Sequence, residues 1–290
     1  MITPTRPVIR YYGGKWKIAE WIIRFFPEHN CYVEPFGGAA SVLLRKKPAR
    51  VEVYNDLSSE MVNLFRVLRD PLKAAQLRLQ LDLTPYSREE WLSCYPVSSN
   101  EIEQARRTIV LASMSHNPSK VMMRQSNGFR SSSSGHHRLP QDFQNATHAL
   151  QAITERMKGV IIENKDAISI MQQHDRRSTL HYVDPPYLSY LRADKRNRYQ
   201  IEAMSVESHK DLSDALKALK GYVIVSGYPC GEYSEWYESA GWQPYSIQAV
   251  TGAATPGKSV RTEVLWLNPR AAVVQKQLNL FTSNENETCG

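Results

Sequence analysis

The six residues Tyr182-Val183-Asp184-Pro185-Pro186-Tyr187 constrain this chain more than any other stretch. They continue the β-prone run through Thr179-Leu180-His181, so a short strand stops abruptly at an acid and two prolines. Proline lacks an N–H and holds the preceding residue out of the α region, which makes Asp184-Pro185-Pro186 a stiff, extended exit that no helix absorbs. At a strand's carboxyl end such a segment presents a carboxylate, main-chain carbonyls and an aromatic ring, a set suited to a flat polar group. Asp and Pro are also ordinary strand-ending turn residues, so the rest of the chain has to decide between the two readings.

Around that stretch, strands and helices alternate at short spacing. Trp16, Ile18, Ala19, Ile22, Ile23 and Phe26 recur at helical spacing after Gly13-Gly14-Lys15, and Pro27 ends the run. Cys31 to Glu34 reads as a strand leading through Pro35-Phe36 into the tight turn Gly37-Gly38, with a helix expected from Val42-Leu43-Leu44. A second strand, Val51 to Tyr54, ends in Asn55-Asp56, the acid lying 19 positions after Gly37. That is close to the offset of roughly 20 residues at which an acid after the second strand of a nucleotide-binding βαβ unit reaches ribose hydroxyls. Asp56 also suits the N-cap of a helix over 58–68, and the turn is not Gly-x-Gly-x-x-Gly, which argues against a nicotinamide or flavin dinucleotide. Strands at Val160–Glu163, at the run into Asp184, at Tyr222–Ser226, and near Tyr245–Val250 and Thr262–Leu267 continue the rhythm, with helices between most of them. A largely parallel sheet follows, and ligands bind outside the carboxyl ends of such strands. Glu34 to Gly38, Asp56, Asp166 and Asp184 to Tyr187 all fall at that rim.

From 71 to about 157 the pattern turns helical (71–81, 88–94, 100–114 and 141–157) around a polar segment, 116–140. Between Ala105 and Arg138 stand Arg106, Arg107, Lys120, Arg124, Arg130 and Arg138 with no acid at all. Those six positive charges compare with a net +7 for the whole chain, from 36 Lys and Arg against 29 Asp and Glu. A one-sided basic window is what phosphate neutralisation selects, so nucleic-acid contact is expected there. A second basic loop, Arg192, Lys195, Arg196 and Arg198, follows Tyr187 directly. No run reaches the roughly 18 apolar residues of a membrane span and no signal-peptide core is visible, so a cytoplasmic location is expected. Cys31, Cys94, Cys230 and Cys289 lack paired or regular spacing, so neither a metal site nor a disulfide framework is expected.

Taken in order, Tyr12-Gly13-Gly14-Lys15, Val33-Glu34-Pro35-Phe36-Gly37-Gly38, Asn55-Asp56-Leu57 and Tyr182-Val183-Asp184-Pro185-Pro186-Tyr187 resemble the DNA adenine-N6 methyltransferases of the Dam type. The resemblance covers about 9–70 and 158–268. It implies a Rossmann-like α/β sheet with helices on both faces, formed by residues 1–70 and 158–268 and binding S-adenosylmethionine. It further implies that 71–157 is an inserted, mainly helical target-recognition domain; residues 269–290 read as a disordered tail. By resemblance, Tyr11 or Tyr12 with Gly14 and Lys15 would close over the cofactor, and Glu34, Pro35, Phe36, Gly37 and Gly38 would approach its methionine part. Asp56 would take the ribose and Asp166 the adenine. Asp184, Pro185, Pro186 and Tyr187 would hold the target base, flipped out of double-stranded DNA, with Asp184 also bordering the cofactor. Arg124, Asn127, Arg130, Arg138, Arg192, Lys195, Arg196 and Arg198 would touch the DNA. No metal is needed. A bacterial or phage host and a cognate restriction endonuclease belong with such a family. The family's recognition hairpin is longer than Asn127-Gly128-Phe129-Arg130 and its serine-rich continuation here, so no target sequence carries over. The alternatives are the same fold acting on cytosine N4, an RNA base or a protein amide, which Asp in place of Ser or Asn at 184 disfavours, and a catalytically inactive DNA-binding protein.

Overall fold

The computed structural model describes residues 3–11, 13–116, 128–131, 138–188, 190, 204–250 and 260–277. In chain order the elements are α1 (Ala19–Ile23), β1 (Cys31–Glu34), β2 (Val51–Asn55), α2 (Ser59–Arg69), α3 (Pro71–Asp82), α4 (Arg88–Ser93), α5 (Glu101–Met114), α6 (Leu139–Met157) and β3 (Val160–Glu163). There follow α7 (Ala167–His174), β4 (Thr179–Val183), α8 (Val206–Lys217), β5 (Tyr222–Gly227), α9 (Gly231–Trp236), β6 (Gln243–Val250) and β7 (Val260–Leu267). The fold is mixed α/β with a seven-stranded sheet of order β3-β2-β1-β4-β5-β7-β6. Two compact units divide the chain: Met1–Ala19, Gly37–Lys47 and Glu52–Asp166 form one, and Glu20–Phe36, Pro48–Val51 and Ala167–Gly290 the other.

In the first unit β2 and β3 pair in parallel, Glu52 opposite Val160 and Asn55 opposite Glu163. The helices start where their caps dictate: the side chains of Ser58, Asp70, Ser87 and Asn100 accept first-turn N–H groups of α2, α3, α4 and α5. Helix α2 buries Met61, Leu64, Phe65 and Leu68 and packs on α3, α5 and α6, so these four helices share a core. Glu52 is buried in a bidentate pair with Arg156 of α6 and accepts from Lys46 at 2.5 Å. Burial alone would raise the Glu52 carboxyl, but the Arg156 hydrogen bond and the Lys46 charge overturn that and hold it below the usual range.

In the second unit β1, β4 and β5 are parallel, while β7 runs antiparallel to β5 and β6 antiparallel to β7. Every residue of β4 is buried, as the near-continuous apolar run of a central parallel strand requires. Tyr233, Tyr237, Trp242 and Trp266 form an aromatic core, with Tyr233 edge-on to Trp266 at 5.0 Å and Tyr237 against Trp242 at 4.9 Å.

Three expectations are corrected. The helix expected from Val42 is a run of turns: Arg156 donates to the Leu43 carbonyl, and Pro48 keeps Lys47 out of the α region. Helix α1 covers only Ala19–Ile23, because Phe25 and Phe26 close three-residue bonds onto Ile22 and Ile23 before Pro27. Residues 269–277 are helical, with Asn268 Oδ1 accepting the Ala271 N–H and Ala271 and Ala272 buried, so the irregular tail expected from 269 does not begin there.

Candidate active site

The carboxyl end of β2 builds the glycine turn. Gly37 N–H donates to the Asn55 carbonyl at 2.8 Å, and Gly38 N–H donates to Asp56 Oδ2 at 2.7 Å. Tyr54 OH donates to the Gly38 carbonyl at 2.7 Å. A Cβ on Gly37 would stand 2.2 Å from Tyr54 Cε2, and one on Gly38, whose φ is +46°, would stand 2.8 Å from Tyr11 Cε1. The space these glycines leave is thus filled by the protein's own rings. Asp56 does not cap α2; Ser58 does. Its second oxygen, Oδ1, accepts Ser58 N–H at 2.8 Å, and burial raises its carboxyl against the pull of these two N–H groups.

Lys15 is buried and donates to the Gly13 carbonyl at 2.9 Å; Gly14 N–H closes onto the Tyr11 carbonyl at 3.3 Å. Asp166 is exposed immediately before α7. Tyr12 lies outside the described residues.

In the second unit, Glu34 ends β1 buried and accepts from Tyr32 OH at 2.8 Å, followed by buried Pro35 and half-buried Phe36. Asp184 is the first residue past β4, half-buried, with Pro185 buried and Pro186 and Tyr187 half-buried. Tyr187 is half-buried as a residue, and its hydroxyl donates to Glu263 Oε2 at 2.8 Å and lies 3.4 Å from Ser226 Oγ. Burial, then the charges of Asp184 and Glu263, push its phenol well above the usual range, so it stays a donor. The ring meets Tyr228 edge-on at 4.5 Å, and Arg261 stacks over Tyr228. The Pro186 carbonyl is bonded by His209 Nε2 at 2.9 Å.

The glycine turn with its acid belongs to the first unit, and Asp184 with its anchored aromatic to the second. Residues 11–251 match the model of the D12 class N6 adenine-specific DNA methyltransferases. The chain belongs to that family. It is 24% identical over 286 residues to a type II methyltransferase, M1.LlaDCHI of Lactococcus lactis subsp. cremoris, covering 91% of this chain and 95% of that one. It is 23% identical to the DNA adenine methylase of Salmonella typhi (81% and 85% covered) and 22% identical to that of Escherichia coli K12 (81% and 85% covered). The chain is therefore a DNA adenine methyltransferase, with DNA as substrate, and methyltransferases of this class use S-adenosylmethionine. No helix among the described residues is long and apolar enough to cross a membrane, and no group of His, Cys, Asp or Glu among them could hold a metal ion.

Several residues that bond to the expected site residues carry no obvious motif. Asn55 bonds both backbone atoms of Lys165 (Nδ2 to O and N to Oδ1, each 2.9 Å), and Asn164 Nδ2 donates to the Asp56 carbonyl at 2.7 Å, fixing the turns after β2 and β3 to each other. Tyr54, Ser226, Tyr228 and His209 were equally unmarked. Glu263 did leave a signal, an acid inside the apolar strand Val260–Leu267.

On the DNA side the acid-free window is less free than its sequence implies. Arg106 pairs with Glu90 and Glu103, and Arg107 with Glu103, acids that lie just before the window at helical or packing distance. Ser115 and Phe129 form an antiparallel bridge, and Tyr86 OH donates to the Arg130 carbonyl at 2.8 Å, so the polar segment leaves and returns at one point. Arg10 donates to the Ser115 carbonyl at 3.3 Å; burial and then the neighbouring Arg130 cation lower its guanidinium from its usual value. Arg88 stacks on Phe129 at 5.1 Å, and exposed Arg138 precedes α6. Arg124, Asn127, Arg192, Lys195, Arg196 and Arg198 lie outside the described residues.

Proposed function

We propose that this chain methylates adenine N6 at a specific site in double-stranded DNA, with Asp184 and the Pro185 carbonyl handling the amine and Tyr187 stacking on the extruded base. The observation that carries the reading is the placement of Asp184 directly after the wholly buried β4, on a two-proline exit whose following ring is held by Glu263. An adenine amine is a poor nucleophile because its lone pair is delocalised into the ring. Two acceptors for its hydrogens, the carboxylate and the carbonyl, draw the nitrogen towards tetrahedral geometry and free that pair. One of the hydrogens held there leaves as a proton once the nitrogen has four substituents. Extruding the base costs a few kcal/mol, and stacking on Tyr187 returns about 1–3 kcal/mol of it.

The residues fit S-adenosylmethionine, which when bound supplies the methyl group from its sulfonium and is left as S-adenosylhomocysteine. Each Asp56 oxygen accepts one N–H, and a carboxylate oxygen has a second lone pair for a ribose hydroxyl. We assign Asp56 to the ribose and Asp166 to the adenine. Tyr11, Tyr12, Gly14, Lys15, Glu34, Pro35, Phe36, Gly37 and Gly38 take the remainder, and Asp184 borders it.

Residues 71–157 are assigned to target recognition. Arg130 and Arg138 of the described residues, with Arg124, Asn127, Arg192, Lys195, Arg196 and Arg198, are assigned to DNA. Support comes from the Ser115–Phe129 bridge and the Arg10 bond to the Ser115 carbonyl, which bring the Arg10 and Phe129-Arg130 segments to one place. A bacterial or phage cytoplasm is where such a substrate lies, and similarity to a protein named type II methyltransferase makes a cognate restriction endonuclease the partner to seek.

The test is transfer of labelled methyl from S-adenosylmethionine to duplex DNA of varied sequence, with base analysis of the product. Wild type should yield N6-methyladenine at a defined sequence, and Asp184→Ala should lose at least ~100-fold in rate. Undiminished transfer by Asp184→Ala would remove the carboxylate from the mechanism.

A further inference from the structure

We propose that Glu263 is a positioning residue for methyl transfer, holding the Tyr187 ring in its stacking orientation through the phenolic hydroxyl. This rests on the reading of Asp184 and Tyr187 as the groups that receive the base. Two prolines in succession remove the N–H donors at 185 and 186, so the segment cannot be anchored through those amides. It is anchored instead through a carbonyl and a side chain. The Pro186 carbonyl, which can only accept, takes the Nε2 proton of His209, buried in α8; His209 Nδ1 lies 3.1 Å from the hydroxyl of Tyr233. That fixes the backbone just before Tyr187.

The ring itself has two rotatable bonds beyond that backbone, and its far end is fixed by Glu263. The carboxylate sits on β7 in the buried run that continues through Val264, Leu265, Trp266 and Leu267, 7% exposed, and accepts from Tyr187 OH at 2.8 Å. Burying a carboxylate in a strand is costly unless it receives hydrogen bonds, so its retention at this point needs a donor, and Tyr187 is one. Tyr228, edge-on at 4.5 Å, bounds the ring on one side. The ring's plane is therefore set by the hydroxyl tether and by Tyr228 before any base arrives. Loss of the tether leaves stacking surface in place but its orientation undefined.

The experiment compares wild type, Glu263→Ala, Glu263→Gln, Tyr187→Phe and the double variant Glu263→Ala/Tyr187→Phe. The assay is steady-state methylation of a duplex carrying the site that the labelling experiment defines. Fluorescence of 2-aminopurine at the target position is read in parallel, and S-adenosylmethionine binding is measured separately. Glu263→Ala should lower kcat by about 10- to 100-fold with little change in KM for DNA, since misplacement of about 1 Å costs that much. Glu263→Gln, which still accepts from the phenol, should recover most of the loss. Tyr187→Phe should resemble Glu263→Ala, and the double variant should be no slower than the worse single, because both cut one tether. The 2-aminopurine signal of the complex should change in Glu263→Ala and not in Glu263→Gln, with cofactor binding unchanged in both. Wild-type kcat in Glu263→Ala, or losses that multiply in the double variant, would overturn the proposal. Failure of the underlying reading looks different: Asp184→Ala would then remain active or the product would not be N6-methyladenine, whatever Glu263 does.

Discussion

At Gly37 the absence of a side chain is an internal requirement of the fold. A Cβ there would overlap the Tyr54 ring at 2.2 Å, and Tyr54 in turn bonds the next carbonyl. Gly37→Ala should therefore cost at least ~3 kcal/mol in thermal or urea unfolding, the upper range for overpacking, and weaken cofactor binding with it. Tyr54→Phe keeps the ring and strands the Gly38 carbonyl. It should cost about 1 kcal/mol and raise the dissociation constant for S-adenosylmethionine in a calorimetric titration. If Tyr54→Phe binds the cofactor as tightly as wild type, the turn does not depend on that bond. The glycines were legible in the sequence as a turn; the reason for them was not. Adjacent glycines announce freedom of backbone, whereas what occupies the vacated space, Tyr54 from 17 positions on and Tyr11 from well before, is decided by packing that no local pattern encodes.

Among the elements, the buried Glu52 links β2 to α6 through Arg156 and to the turns after Gly38 through Lys46. Removing one partner leaves the other charge buried, so Arg156→Met should destabilise by about 3–5 kcal/mol, whereas replacing Glu52 and Arg156 together by apolar residues should recover much of it. Paired chemical denaturation of the single and double variants measures the difference. The starts of α2, α3, α4 and α5 lie within one residue of those expected, and the caps that set them are local: Asp70, Ser87 and Asn100, with Ser58 at α2 where Asp56 was the expected cap. Where a helix was expected after Val42 the chain stays in turns up to Pro48, and a non-local donor, Arg156 from 113 positions away, bonds the Leu43 carbonyl there. The basic window was overcounted in the same way, because Arg106 finds Glu90 on a different helix.

For the molecule as a whole, pH should act from both ends. Burial holds the phenols of Tyr182, Tyr187, Tyr233 and Tyr237 above their ordinary value. The unfolded chain then releases protons near pH 10 that the native state keeps, so stability is intact below about pH 10 and falls as pH rises beyond it. On the acid side burial, opposed only in part by Asp175, lowers His181 to about 4. The unfolded imidazole binds its proton near pH 6.5, so stability is full above that value and declines as pH falls from about 6.5 towards 4. Unfolding free energies across pH 4 to 11 should show a plateau bounded by these two slopes, and His181→Phe, if it folds, should flatten the acid one. The order of motifs was visible in the sequence because proline pairs, glycine pairs and spaced acids are short-range signatures. What anchors them was not, since Glu263 and His209 meet Tyr187 and Pro186 across 76 and 23 positions.

Arg69 at the end of α2 donates through Nη1 to the Val160 carbonyl at the start of β3, 3.0 Å away and 91 positions later. The helical stretch α3 to α6 thus departs and re-enters where the chain is already stitched together, with Asp70 and Pro71 opening it as a capped start. A chimera that splices a relative's stretch between Asp70 and Gly159 keeps both edges of that seam, but it has to match the face laid on α2 and to retain Arg156 for the buried Glu52. On the proposed assignment of this stretch to target recognition, the methylated sequence of such a chimera should follow the donor.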